Sequence, residues 1–189
     1  MGFRTFKNAV EIAKRIMDLT VKDGNIVLDC TVGNGNDTLH LAKLVGESGK
    51  VYGFDIQSIA LDITKDRLIE NELIDRVVLI NDGHEKIDQY IHEQLDFIIY
   101  NLGYLPKGDK TIITNASTTL ESVKKALQLL KNNGLLLIVS YTGHEGGKEE
   151  FNTLFDFFKT LDQKKYSVIE FNFINQKNDP PILFGLEKL

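Results

Sequence analysis

The chain has 189 residues, a formal net charge of −5 and a sequence pI near 5.4. That length fits one domain with a sizeable core, and the acidic balance argues against an extended nucleic-acid surface while leaving room for a local basic patch. No apolar run approaches the ~20 residues that span a bilayer. Cys30, the single cysteine, excludes an internal disulfide and makes the cytoplasm the expected compartment.

Taken in chain order, 1–22 reads as an N-terminal helical extension. Met1 to Leu19 mixes Arg4, Lys7, Glu11, Lys14, Arg15 and Asp18 among its apolar residues, which suits an amphipathic helix and not a signal peptide. Short apolar runs then alternate with helical patterns, as in a parallel sheet with crossover helices. The expected strands are Ile26–Cys30, Lys50–Asp55, Val77–Asn81, Phe97–Asn101 and Leu135–Tyr141, and the helices between them Asp37–Val45, Ile59–Asn71, Ile87–Gln94 and Thr118–Lys131. In the last helix Leu120, Val123, Leu127 and Leu130 share one face, and Gly134 stands where it would close the C-terminus. A glycine-rich turn follows, then an apolar helix around Phe151–Leu161. Two further strands, Tyr166–Ile174 and Ile182–Glu187, are joined by a polar loop ending in Pro180-Pro181, a hairpin that would add an antiparallel strand to the sheet edge. The pattern predicts a single Rossmann-like α/β domain over 1–189, with a seven-stranded, mostly parallel sheet and helices on both faces.

Ligands of such sheets bind at the carboxyl ends of the strands, near the switch in strand order. The first strand runs into Asp29-Cys30-Thr31-Val32-Gly33-Asn34-Gly35-Asn36-Asp37-Thr38. Gly33 and Gly35 permit a tight turn and close backbone approach to a ligand before a helix N-terminus. A dinucleotide fingerprint needs a third glycine where Thr38 stands. Asp29 and Asp37 flank the turn and favour a cationic ligand over a pyrophosphate, which points to the sulfonium and ammonium of S-adenosylmethionine. Asp55, about 20 residues after Gly35, is placed to accept both ribose hydroxyls, or else to cap the next helix; on its own it does not separate this cofactor from NAD. The third strand ends in Asn81-Asp82-Gly83-His84-Glu85, where Asp82 is expected to accept from the adenine amine and His84 to pack on or bond to the nucleoside.

The fourth strand ends in Asn101-Leu102-Gly103-Tyr104-Leu105-Pro106. A nitrogen nucleophile must present its lone pair to the methyl carbon. Acceptors for its N–H bonds, the Asn101 amide oxygen and a carbonyl of Leu102 or Gly103, can steer that lone pair, and Tyr104 can stack on the group that carries the amine. The segment is similar to the Asn-Pro-Pro-Tyr motif of amine-directed nucleic-acid methyltransferases, with Leu-Gly in place of Pro-Pro. After the fifth strand, Tyr141-Thr142-Gly143-His144-Glu145-Gly146-Gly147-Lys148 offers Tyr141 as a substrate contact and His144 as proton acceptor, substrate contact or helix cap. No His/Cys/Asp spacing indicates a metal.

The segments Thr31–Thr38, Gly53–Gln57, Asn101–Pro106 and Tyr141–Lys148, with the tail from Asn175 through Lys188, resemble the MnmM (YtqB-like) family, earlier labelled rRNA methylases, over essentially the whole chain. The resemblance implies a bacterial S-adenosylmethionine-dependent enzyme acting on the tRNA anticodon stem-loop, converting wobble 5-aminomethyl-2-thiouridine to its 5-methylaminomethyl form. It further implies cofactor roles for Asn34, Asn36, Asp55, Gln57 and His84, and a reaction-site role for Asn101 and Tyr104. A basic patch for tRNA is expected from the N-terminal helix with Lys107 and Lys110. The rival readings are methylation of rRNA or of a small-molecule amine, a nicotinamide-dependent oxidoreductase, and a non-catalytic RNA-binding protein.

Overall fold

A computed structural model describes residues 6–103 and 113–189. The five predicted parallel strands form as β1 (Ile26–Asp29), β2 (Lys50–Phe54), β3 (Val77–Ile80), β4 (Leu95–Asn101) and β5 (Leu130–Ser140), followed by β6 (Tyr166–Phe171) and β7 (Ile182–Lys188). Their order across the sheet is β3-β2-β1-β4-β5-β7-β6, with β7 antiparallel to both neighbours. The antiparallel strand therefore lies inside the sheet, and β6 forms the edge.

Alternation along the central strands feeds two separate cores. Leu28, Ile98, Tyr100, Leu136 and Ile138 face the side covered by α4 (Ile87–Tyr90), α5 (Ala116–Leu129) and α6 (Gly147–Lys159). Val27, Phe97, Ile99, Leu137 and Val139 face the side covered by α1 (Ala9–Thr20), α2 (Asn36–Leu44) and α3 (Ser58–Glu70). Period-two alternation with both faces apolar is what a sheet covered on both sides requires.

Several boundaries move for identifiable reasons. The helix expected over 1–19 is described from Ala9, after Asn8 caps it by accepting from the Glu11 N–H at 2.8 Å. The stretch expected to be helical over 87–94 keeps only one turn, because Ile91 turns extended (φ −116°, ψ 119°) and buries its side chain. Gly134 does not close α5. That helix ends at Leu129, and the fully buried Leu130 continues as strand opposite Leu95. Gly134 instead lies within β5, after Asn133 adopts φ 61° at an irregular register. In contrast, α6 starts four residues before the expected Phe151, so the glycine-rich turn runs straight into its N-terminus.

Chain direction sets where function can sit. β1, β2 and β3 build outward on one side, and β4 returns to the other side of β1, so strand order reverses between β1 and β4. The carboxyl ends of those two strands define the crevice. Ile98, fully buried beside Leu28 and Leu136, is central to the sheet under this crevice. Ile98→Ala is expected to lower unfolding free energy by about 2–5 kcal/mol, measured by urea denaturation with an unchanged m-value.

Candidate active site

The turn after β1 is held by its own side chains. Gly33 and Gly35 adopt φ 52° and 75°, the left-handed region that favours glycine. A Cβ on Gly35 would come within 2.5 Å of the Thr64 hydroxyl, so α3 closes over the turn from behind. Asp29 is fully buried and accepts from the Thr31 N–H (3.1 Å) and the Thr38 hydroxyl (2.6 Å). Its position is thus behind the turn, and its charge acts on a ligand through space. Asp55 accepts from the Gly33 N–H (2.8 Å) with one oxygen and the Gln57 N–H (2.9 Å) with the other, while Asn81 donates to its carbonyl (2.9 Å). This ties the first and second strand ends together and leaves the partly exposed Asp55 carboxylate with further lone pairs. Arg67 donates to the Asn34 carbonyl and to the Asn36 side chain, so Asn36 is turned toward α3.

Burial and mutual repulsion act on these acids in one direction. The Asp29 carboxyl is pushed up to about 7, first by burial and then by the nearby Asp37 charge. Burial also raises Asp37, opposed by a hydrogen bond from Asn101 and by the charges of His40 and Lys14. Asp55 is raised by burial against its two backbone hydrogen bonds. Three carboxylates held together at one turn are relieved by a cation. The residues therefore fit a ligand that carries a sulfonium and an ammonium.

At the third strand end the two predicted residues part ways. Asp82 is engaged by Lys86 (2.6 Å), the Gly83 N–H (2.8 Å) and the Tyr90 hydroxyl (2.9 Å), and the Lys86 hydrogen bond leads in holding its carboxyl down to about 2. His84 is buried edge-on to the Tyr100 ring, and burial lowers it to about 4, so the imidazole is neutral. Its Nδ1 has no hydrogen-bond partner among the described residues. Ile56, which directly follows Asp55 and is 57% exposed, adds an apolar surface at this strand end that the motifs did not indicate. An exposed isoleucine beside the Asp55 carboxylate has no signature in sequence alone.

The reactive strand end is braced on both sides. The Asn101 N–H donates to the Thr31 hydroxyl (2.7 Å), and its side-chain amide nitrogen faces Asp37 at 3.5 Å. A carboxylate only accepts, so this contact sets the amide with Nδ2 toward Asp37 and Oδ1 turned away. Leu102 buries its side chain and donates its N–H to Val139 (2.9 Å). Gly103 has φ 128°, which a proline fixed near −65° does not reach. The loop thus differs in backbone path from an Asn-Pro-Pro-Tyr segment. Thr114 grips Gly103 twice, donating its N–H to the Gly103 carbonyl (3.0 Å) and accepting the Gly103 N–H on its hydroxyl (3.0 Å). One lone pair of the Gly103 carbonyl is thereby taken up by Thr114.

Behind Thr114 stands Glu150 of α6, 1% exposed, which accepts from the Thr114 hydroxyl (2.9 Å) and the Thr119 hydroxyl (2.5 Å). Burial raises its carboxyl, against both hydrogen bonds. Thr31, Thr38, Thr114 and Glu150 were absent from the sequence reading, because threonines and a glutamate far apart in the chain carry no spacing signal. His144 and Tyr141 do meet Gly103: a Cβ built there lies 3.8 Å from His144 Nε2 and from Tyr141 Cδ2. The carbonyl of Glu145 can only accept, so His144 Nδ1 donates to it (2.8 Å). Tyr104, Lys107 and Lys110 lie outside the described residues, as does Arg4. Among the described residues there is no group of three His, Cys, Asp or Glu side chains placed to hold a metal, and no helix long and apolar enough to cross a membrane.

The reversed strand order, the antiparallel β7 and the glycine turn facing the reactive strand define a class I, Rossmann-like S-adenosylmethionine-dependent methyltransferase. The family model described as "Putative rRNA methylase" matches residues 51–187, and the chain belongs to that family. A curated relative, the chloroplastic tRNA (mnm(5)s(2)U34)-methyltransferase of Arabidopsis thaliana, is 36% identical over 192 residues, covering 96% of this chain and 70% of that protein. The solved rRNA-methylase-type protein of Clostridium thermocellum is 46% identical with a TM-score of 0.96, covering 98% of this chain and 100% of that one. SMU.1697c of Streptococcus mutans, a methyltransferase-type structure in complex with SAH, is 38% identical with a TM-score of 0.89, at 98% and 100% coverage.

The raised Asp29 carboxyl predicts a pH dependence of stability. The unfolded chain releases this proton near 3.8 and the folded chain near 7. Between those values the folded state binds more protons, so the Asp29 contribution to stability falls as pH rises and then levels off. Thermal unfolding of the ligand-free protein across pH 4–8 is expected to show that decline, and Asp29→Asn to flatten it. A wild-type curve rising over the same window, with the variant parallel to it, refutes the assignment.

Proposed function

We propose that the chain is an S-adenosylmethionine-dependent N-methyltransferase that converts 5-aminomethyl-2-thiouridine at the wobble position of tRNA into its 5-methylaminomethyl form. One observation carries the amine chemistry: Asp37 takes the amide nitrogen of Asn101, so Oδ1 is left to accept an N–H from the substrate. A second N–H meets a backbone carbonyl of Leu102 or Gly103, the latter already accepting from the Thr114 N–H with one lone pair. With two N–H bonds held, the nitrogen lone pair has one direction left, and orientation of this kind accounts for a large share of a methyl-transfer barrier.

S-adenosylmethionine supplies, when bound, an electrophilic methyl group whose carbon–sulfur bond breaks with the electron pair going to sulfur. Asp55 would hold the ribose hydroxyls, Ile56 and His84 would line the adenine side, and the Gly33–Gly35 turn would let the backbone approach the amino-acid end. Asp29 and Asp37 favour the positive charge there through space. An alkyl ammonium has its free pKa near about 10.4 and must lose a proton to offer a lone pair. Desolvation at the strand end lowers that value, and His144, with Nδ1 committed to Glu145, presents Nε2 as acceptor beside Gly103.

The wobble-uridine substrate is supported by the Arabidopsis relative, which aligns with 96% of this chain. A second reading, methylation of rRNA, is supported by the description of the family. The anticodon stem-loop is the part of the tRNA that would enter the crevice, and Tyr104 and Lys107 are its proposed contacts from residues 104–112.

Radiolabelled methyl transfer separates these readings, with three substrates offered to the enzyme: an anticodon stem-loop carrying 5-aminomethyl-2-thiouridine, the same stem-loop with unmodified uridine, and ribosomal RNA. Label is expected only in the first; label in ribosomal RNA alone overturns the tRNA assignment. Asn101→Ala is expected to lower turnover about a hundredfold or more at unchanged cofactor affinity, and full retention of activity refutes the lone-pair argument. Asp55→Ala is expected to weaken cofactor binding by roughly 1–3 kcal/mol in titration calorimetry.

A further inference from the structure

The hairpin joining β6 to β7 turns at the same sheet edge as Asn101. Leu183 of β7 pairs with Val139 on one side and Phe171 on the other, and Val139 also pairs with Asn101. Beside this hairpin lies the N-terminal approach to α1. Between them is a cleft of about 370 Å³, with Phe6, Phe171 and Phe173 as its aromatic lining and Asn172, Asn175 and Gln176 as its polar lining.

Two features mark this cleft as more than loose packing. Phe6 is 63% exposed and Ile174 at its rim is 97% exposed, which places large apolar side chains in water at a concave site. Its polar groups are amides, each able to donate and accept, and among the described residues no carboxylate or ammonium belongs to the lining. Aromatic faces with adjacent amides match the chemistry that receives an unstacked nucleobase: rings stack on any base, and amides meet its hydrogen-bonding edge. A hydrophobic protein segment would leave the amides unpaired.

The cleft lies at the same end of the sheet as the fourth strand end. Phe171 and Phe173 pack on the same core cluster as Tyr141, and Tyr141 stands against Gly103. A nucleotide whose base enters the crevice must leave its own stack, and the neighbouring base then loses a stacking partner.

We propose that the cleft between the α1 approach and the β6–β7 hairpin binds an unstacked base of the substrate RNA, next in sequence to the nucleotide that is methylated. This site depends on the substrate being an RNA, as proposed above. Phe6 and Phe173 act as the stacking faces, and Asn172, Asn175 and Gln176 read the base edge.

The test is a thermodynamic cycle on binding of a modified anticodon stem-loop. Intact RNA is compared with RNAs made abasic at each nucleotide flanking the target uridine, using wild type, Phe6→Ala and Phe173→Ala. For intact RNA each variant is expected to raise Kd by about tenfold. With the abasic site at the bound position, wild type loses a similar factor and the variants lose little more. A 2-aminopurine placed there is expected to be quenched on binding to wild type and to recover in Phe6→Ala. Phe6 is mostly exposed, so that variant keeps the test meaningful if Phe173→Ala fails to fold. Equal losses on intact and abasic RNA at every flanking position overturn the assignment while leaving RNA methylation standing. Phe6→Ala that converts a dimer to a monomer with unchanged RNA affinity overturns it in favour of a second copy. Wild type that binds no RNA yet methylates a free aminomethyl nucleoside overturns both this site and the RNA reading.

Discussion

Three carboxylates crowd a single glycine turn, and most of the site follows from how the fold tolerates them. Asp29, Asp37 and Asp55 are drawn together because β1 and β2 are neighbours and α2 begins where the β1 turn ends. Each is partly neutralised by a local device: Asp29 by Thr31 and Thr38, Asp55 by two backbone N–H groups, and Asp37 by Asn101, His40 and Lys14. These contacts hold the acids in place, and burial still raises all three carboxyls. The remaining repulsion is relieved by a cationic ligand, so the same charges that strain the ligand-free protein favour the cofactor.

Asp37 links that cofactor turn to the chemistry. It lies at the N-terminus of α2, belongs by sequence to the glycine turn, and meets the side chain of Asn101 from β4. A second link runs through Thr31, whose N–H donates to Asp29 and whose hydroxyl accepts the Asn101 N–H. The glycine turn and Asn101 are therefore one hydrogen-bonded unit. On the opposite side, Glu150 and Thr114 anchor the Gly103 end of the loop to α6. The reactive segment is clamped between two helices of opposite sheet faces, which limits the freedom of the two acceptors it presents.

Much of this was legible in the sequence because it is carried by local patterns. Apolar runs alternating with helical periods implied the parallel sheet, and Gly33, Gly35, Asp55 and Asn101 stand at strand ends where ligands must bind. The misread elements were those in which burial overrode local preference. Leu130 is drawn into the sheet by its partner Leu95, which moves Gly134 from helix cap to strand interior. Ile91 leaves its helix after one turn to enter the core.

Taken alone, the sequence determined the order of strands and helices, pointed to the carboxyl edge, and showed an acid-rich turn that favours a cation over a pyrophosphate, since each depends on neighbours in the chain. Only the tertiary structure decided which acid does what. Asp29 proved to be sealed behind the turn, Asp82 to be held by Lys86 and Tyr90, and Asp37 to face Asn101 across 64 positions of sequence. The roles of Thr114 and Glu150, and the aromatic cleft beside α1, were likewise decided by packing. The physical reason is that a carboxylate's role depends on what surrounds it in space, and those surroundings come from distant segments that the sheet brings together.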